Sequence, residues 1–255
     1  MSRTPIVAGN WKMNLLRADA IALARDVRDR AGTIAGVETI VCPPFVFLHE
    51  VAAILAGSTV EVGAQDLYWE EKGAFTGEVS VTQVAEAARF AIVGHSERRQ
   101  FFGETDDTVN RRLKAALAHG LQPIMCVGEL LDDRQGGRTA DVLVRQTRVG
   151  LAGVEITGAI TIAYEPVWAI GTGLAADGPT AQEAIGLIRA TVRELAGAAA
   201  MDVRILYGGS VIPNNAAEFM AQPDIDGSLV GGASLKADVF AAIVRMTAAA
   251  ATARP

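Results

Sequence analysis

Eight short apolar runs recur along the chain at intervals wide enough to hold a helix, and this recurrence constrains the fold more than any other feature. The runs are Ile6-Val7-Ala8, Thr39-Ile40-Val41-Cys42, Val60-Glu61-Val62-Gly63, Phe90-Ala91-Ile92-Val93, Pro123-Ile124-Met125-Cys126-Val127, Ile160-Thr161-Ile162-Ala163, Val203-Arg204-Ile205-Leu206 and Gly227-Ser228-Leu229-Val230. Between them lie Ala-, Leu- and Arg-rich segments with apolar residues at helical spacing, such as 18–31, 109–119, 180–196 and 237–252. Strands that are continuously apolar belong to a parallel sheet covered on both faces. Eight strand–helix units within 255 residues fit an α/β architecture of the closed (βα)8 kind. At 50% hydrophobic residues the chain can bury one large core. No Ser/Pro/Gly-rich linker or compositional break divides it, so one domain over residues 1–255 is expected. An open doubly wound sheet is the alternative. It is weakened because no Gly-x-Gly-x-x-Gly turn follows the first strand.

Three strings carry chemistry. In Ala163-Tyr164-Glu165-Pro166-Val167-Trp168-Ala169-Ile170-Gly171-Thr172-Gly173 a carboxylate ends an apolar strand and a Gly-rich loop follows at once. Pro166 fixes where the strand stops, and the Gly-Thr-Gly tip is free to take unusual backbone angles. A carboxylate between a buried strand and a lid is desolvated on closure, which raises its pKa and strengthens it as a base. Gly94-His95-Ser96-Glu97-Arg98-Arg99 places His95 before a short helix, whose N-terminus lowers the pKa of an imidazole aimed at it, so that a neutral ring can donate to a carbonyl. Gly9-Asn10-Trp11-Lys12-Met13-Asn14 ends the first strand with an amide donor, Asn10, and a cation, Lys12, suited to a phosphate or an enediolate. Glu97 can pair with Lys12 or with a neighbouring Arg. Gly208-Gly209-Ser210 and Gly231-Gly232 follow the seventh and eighth strands, where exposed amides bind anions. All of these residues fall at the C-terminal ends of strands, the catalytic rim of such barrels. Taken singly, each has a plainer reading: a loop carboxylate, a structural histidine, a solvated lysine, a common glycine turn. His49 and His119 have only helix-face contexts and are read as structural. Cys126 is read as a small buried residue.

Together the three strings resemble the triosephosphate isomerase family, and the resemblance runs through almost the whole chain. It implies a TIM barrel that interconverts dihydroxyacetone phosphate and D-glyceraldehyde 3-phosphate through an enediol(ate), a step of glycolysis and gluconeogenesis, with no metal and no organic cofactor. By the same resemblance Glu165 is the base, His95, Lys12 and Asn10 stabilise the intermediate, and Glu97 belongs to the catalytic set. Gly171, Ser210, Gly231 and Gly232 join Asn10 and Lys12 in binding the substrate and its phosphate. The lid, 166–176, excludes water. The loop 65–78, from Gln65 to Glu78, carries Leu67, Tyr68, Trp69 and Phe75 and is longer than a usual strand–helix connection. In the family it inserts into a second subunit, which implies a homodimer with Thr76 near the neighbour's Asn10 and Glu97. Two departures stand out: Leu174-Ala175-Ala176 replaces a segment that commonly begins with Lys, and Asp66 stands where Asn is common.

A formal net charge of -6 argues against a nucleic-acid or anionic-membrane partner. Arg98-Arg99 and Arg111-Arg112 sit among Glu97, Glu104, Asp106 and Asp107 and read as ion-paired surface. Cys42 and Cys126 form neither a disulfide framework nor a metal-ligand spacing, consistent with a reducing cytoplasm. No secretory leader and no run of about 20 apolar residues is visible. Two other readings compete, another phosphate-binding barrel isomerase and a barrel kept as a non-enzymatic scaffold. The first needs acid/base residues on other strands, and the intact Asn10, Lys12, His95 and Glu165 speak against the second.

Overall fold

The computed structural model describes residues 3–169 and 176–253. Eight strands, β1 (Ile6–Asn10), β2 (Glu38–Cys42), β3 (Val60–Ala64), β4 (Phe90–Val93), β5 (Gln122–Val127), β6 (Thr161–Tyr164), β7 (Arg204–Tyr207) and β8 (Gly227–Val230), close into a barrel in chain order. Every neighbouring pair is parallel, and closure comes from β1 against β8, with Ile6 opposite Gly227 and Gly9 opposite Val230. The predicted runs map onto these strands to within a residue or two at each end. The predicted helical segments become Arg17–Ala31, Asp106–Ala118, Gly178–Ala196 and Ala237–Thr252.

The strand period of two separates the core into two shells. Ile6, Ala8, Ile40, Cys42, Phe90, Ile92, Ile124, Cys126, Ala163, Leu206 and Leu229 fill the barrel interior. Their sequence neighbours, such as Val7, Val41, Val93, Met125, Ile162 and Ile205, pack outward against the helices. Both shells are apolar, so each strand reads as a continuous run. Carrying the inward parity one step past the last interior layer lands on Asn10, Glu165, Gly208 and Gly231, so the geometry that packs the barrel also aims these residues at its C-terminal mouth.

At the other mouth the inward parity gives Glu38, Gln122 and Arg204. Arg204 ion-pairs with Glu38. Arg89, just before β4, reaches Glu61 at 2.7 Å and Glu38 at 3.8 Å. Two acids and two arginines thus balance one another at this mouth. Connections at the C-terminal mouth are shaped by caps: Asp177 accepts from the Thr180 N–H at 2.9 Å and starts the helix Gly178–Ala196.

Candidate active site

A cavity of about 360 Å³ opens at the C-terminal mouth, lined by Asn10, Lys12, His95, Glu165, Ser210, Gly231 and Gly232 among others. Lys12 reaches it through an uncommon backbone. Its φ of 51° is in the left-handed region, which costs a non-glycine residue roughly 1 kcal/mol or more. Three contacts hold it there. The Lys12 N–H donates to Asn10 Oδ1 at 3.0 Å, Gln65 Nε2 donates to the Lys12 and Cys42 carbonyls at 2.9 Å each, and Lys12 Nζ meets Glu97 Oε1 at 2.6 Å. Glu97 therefore pairs with the cation rather than with an adjacent arginine.

His95, Ser96 and Glu97 act as one unit. His95 caps the helix Ser96–Phe101, and the Glu97 N–H donates to His95 Nδ1 at 3.3 Å. A lone pair is needed at Nδ1 to accept that bond, so the ring proton sits on Nε2, which stands 3.0 Å from Glu165 Oε1. The Ser96 N–H donates to Glu165 Oε2 at 2.8 Å and its hydroxyl to Oε1 at 3.3 Å. Glu165 is only 2% exposed. Burial alone would raise its pKa, but His95, the Ser96 N–H and Lys12 together bring it below the ordinary carboxylate value. For His95, burial opposes a charge on the ring, yet the Glu165 carboxylate beside it raises the pKa overall. In this arrangement both shifts run opposite to the expectation from lid and helix terminus. The reason is that acid and base are docked on each other, and their mutual attraction exceeds the effects of burial and of one short helix.

Two close approaches put Glu165 in place. A Cβ at Gly128, directly after β5, would collide with the Glu165 carbonyl, and one at Gly208 would lie 3.0 Å from Glu165 Cγ. The neighbouring Glu129 is fully buried and accepts from Tyr164 Oη at 3.0 Å, Trp168 Nε1 at 2.9 Å and Arg134 Nη1 at 3.2 Å. Arg134 also lies over the Trp168 ring, 4.4 Å from its centroid. The chain on both sides of Glu165 is thus tied to β5 and its loop. Cys126 lies inside the barrel below the carboxylate, its thiol pushed well up by burial and by the charge of Glu165.

The structure brings Asn10, Lys12, His95, Glu97 and Glu165 together, with Ser210, Gly231 and Gly232 across the cavity; Gly171 and the lid tip lie outside the described residues. Sequence reasoning missed Ser96, Gln65, Gly128 and Glu129 as site residues. Inward parity on β3 and β5 would have pointed to Gln65 and Gly128, whereas Glu129 carries no signal before its partners are known. The paired arginines need correction. Arg112 and Glu104 are buried rather than superficial, and with Arg98 they surround Asp66 in the interior, because the loop 65–78 folds back over them. In that loop Tyr68 stacks on Trp69 and meets Phe75, while Arg111 and Arg112 lie over Trp69. Among the described residues no group of three or more His, Cys, Asp or Glu is placed to hold a metal ion. No helix of the described residues is long and apolar enough to cross a membrane.

A family model described as triosephosphate isomerase matches residues 5–247. A triosephosphate isomerase of Moorella thermoacetica is 54% identical over 245 residues, covering 95% of this chain and 98% of that protein. Those of Chloroflexus aurantiacus and Citrifermentans bemidjiense are 52% and 51% identical, each over 95% of this chain and 98% of their own length. With a closed eight-stranded barrel and a carboxylate, an imidazole and a lysine gathered at its C-terminal mouth, this chain belongs to the triosephosphate isomerase family.

Proposed function

We propose that the chain interconverts dihydroxyacetone phosphate and D-glyceraldehyde 3-phosphate, and that Glu165, His95, Lys12, Asn10 and Glu97 form its catalytic set. The observation that carries this reading is the buried Glu165 carboxylate, 3.0 Å from His95 Nε2, beside a lysine whose charge is directed into the same cavity. Glu165 exchanges its bonds to Ser96 for a substrate C–H. Freed from those partners while still buried, its pKa climbs, and the carboxylate removes the proton next to the carbonyl. His95 Nε2–H donates to the carbonyl oxygen, and Lys12 with the Asn10 amide stabilises the charge of the enediolate. Glu165 returns the proton to the adjacent carbon while His95 takes the hydroxyl proton from one oxygen after giving its own to the other, so substrate and product are isomers and no redox partner is consumed. Ser210, Gly231, Gly232 and Gly171 hold the phosphate, and the lid 166–176 keeps water from the intermediate.

The same reading takes residues 1–255 as one catalytic domain in the cytoplasm that works as a homodimer through the loop 65–78, with neither nucleic acid nor membrane as partner. Supporting the dimer, Met13 is 95% and Phe75 41% exposed, with Leu16, Val46 and Phe102 exposed as well. A coupled assay that supplies glyceraldehyde 3-phosphate and follows dihydroxyacetone phosphate tests the activity, and sedimentation of the enzyme at assay concentration tests the dimer. Absence of turnover rejects the first, and a fully active monomer rejects the second.

A further inference from the structure

Among the side chains that root the loop after β3, Asp66 carries the buried charge. Asp66 is 3% exposed, and its two oxygens face guanidinium groups from two elements. Arg112 Nε, on the helix Asp106–Ala118, donates to Oδ1 at 3.0 Å, and Arg98 Nε, on the helix Ser96–Phe101, stands 3.0 Å from Oδ2. Glu104 shares both arginines: Oε1 pairs with Arg98 and lies 3.3 Å from Arg112 Nη2. Its Oε2 is buried with no hydrogen-bond partner among the described residues. The Leu67 backbone also favours the Asp66 charge, and Glu78, at the far end of the loop, acts on Arg98. Two carboxylates and two guanidinium groups therefore share a buried pocket.

Arg98 belongs to the helix whose cap is His95, whose first residue holds Glu165 and whose second holds Lys12. Six residues are too few for a helix to hold itself by its own hydrogen bonds. Its place is set by what its side chains grip: Arg99 takes the Gly94 and Cys126 carbonyls and Asp106, and Arg98 takes Asp66 and Glu104.

We propose that Asp66 is a positioning residue: its ionised carboxylate draws Arg98 and Arg112 together and fixes the short helix that orients His95, Glu165 and Lys12, and its protonation loosens that grip. The inference rests on the reading of those three residues as catalytic machinery. With Asp66 ionised, two negative charges meet two positive ones; with Asp66 neutral, Arg98 and Arg112 repel each other across Glu104 alone. Burial and the Glu104 charge outweigh the two arginines and push the Asp66 pKa up to about 7. The change of state therefore falls in the neutral range, where a carboxamide of the same shape has no proton to lose.

The test compares kcat and KM from about pH 5.5 to about pH 9 in the native enzyme and in Asp66→Asn. In the native enzyme kcat rises about 3- to 10-fold through an ionisation near neutrality while KM changes less, since sub-ångström displacement of a catalytic group acts on the transition state. Asp66→Asn lacks that ionisation. Glu104→Gln removes the repelling charge and moves the ionisation to lower pH. Superimposable profiles for native enzyme and Asp66→Asn overturn the proposal. Hydrogen-exchange protection of the Arg98, Arg99 and Phe102 amides supplies a readout free of turnover. It rises between about pH 6 and about pH 8 in the native chain and not in the variant. Equal protection in both chains overturns the clamp, whereas a protection step in a chain that turns over no triose phosphate supports the clamp and rejects the isomerase reading.

Discussion

Both mouths of the barrel are ringed with ionisable side chains, and the rings are built on opposite principles. At the N-terminal mouth Glu38, Glu61, Arg89 and Arg204 pair with one another. At the C-terminal mouth Lys12, His95, Glu97 and Glu165 also pair, yet each pair sits against open space and is anchored by parts that belong to other elements: the Ser96 N–H, the Gln65 amide, the Asn10 side chain. A saturated ring serves stability. A ring whose charges are held from outside can change partners without the frame collapsing, which catalysis demands.

The contrast breaks most visibly at the base. Glu165→Asp withdraws the carboxylate by roughly 1 Å, and a displacement of that size costs on the order of 100-fold in rate. Steady-state kinetics beside thermal unfolding should show kcat falling and the unfolding midpoint nearly unmoved; near-native turnover would remove Glu165 from the role of base. The mirror experiment is Glu38→Leu at the other mouth, which takes the acidic partner from Arg204 and leaves Arg89 with Glu61. Loss of one partner of a buried pair costs several kcal/mol, but these side chains keep partial solvent contact, so about 1–2 kcal/mol is expected. Denaturant unfolding should register that loss while kcat/KM stays within about twofold of native, and a large fall in kcat/KM would erase the division of labour between the mouths.

The smallest effect sharpens the comparison through pH. Glu165 is depressed from 4.5, so its contribution to stability is present above that value and fades as pH falls through the lower folded pKa. His95 is raised from 6.5, so its contribution is complete below that value and is lost as pH rises through the higher folded pKa. The pair therefore stabilises the fold most between 4.5 and 6.5. The native chain should exceed His95→Gln in unfolding free energy by the widest margin inside that window. A margin independent of pH would mean that the two groups do not titrate as a pair.

Much of this was legible in the sequence because the barrel repeats one rule. Apolar residues inside and outside each strand make runs that can be counted, and Asn10, Lys12, His95 and Glu165 sit where those runs end. Legibility fails where a role depends on a partner far along the chain. Ser96 looks like an ordinary helix start until Glu165, 69 residues later, is seen to bind it. Glu129 looks like a loop acid until Tyr164 and Trp168 donate to it. The same blindness turned the directions of the His95 and Glu165 shifts around, since helix terminus and burial are local properties and the docking of one on the other is not. Arg98 and Arg112 read as surface for a related reason: only the fold of the loop 65–78 carries Asp66 inward to meet them.

Closure of the barrel by β1 against β8 has a consequence for how the protein comes into being. Asn10 and Lys12 leave the ribosome long before β8 does, yet Gly9 finds its strand partner Val230, and Lys12 its facing wall at Gly231, only when β8 has been made. A nascent chain can bury much of its helical shell and still own no active site. Pairing that spans nearly the whole sequence is slow to form and leaves the first and last strands as open edges until it does. During synthesis those two edges are therefore the segments that a chaperone has most reason to cover.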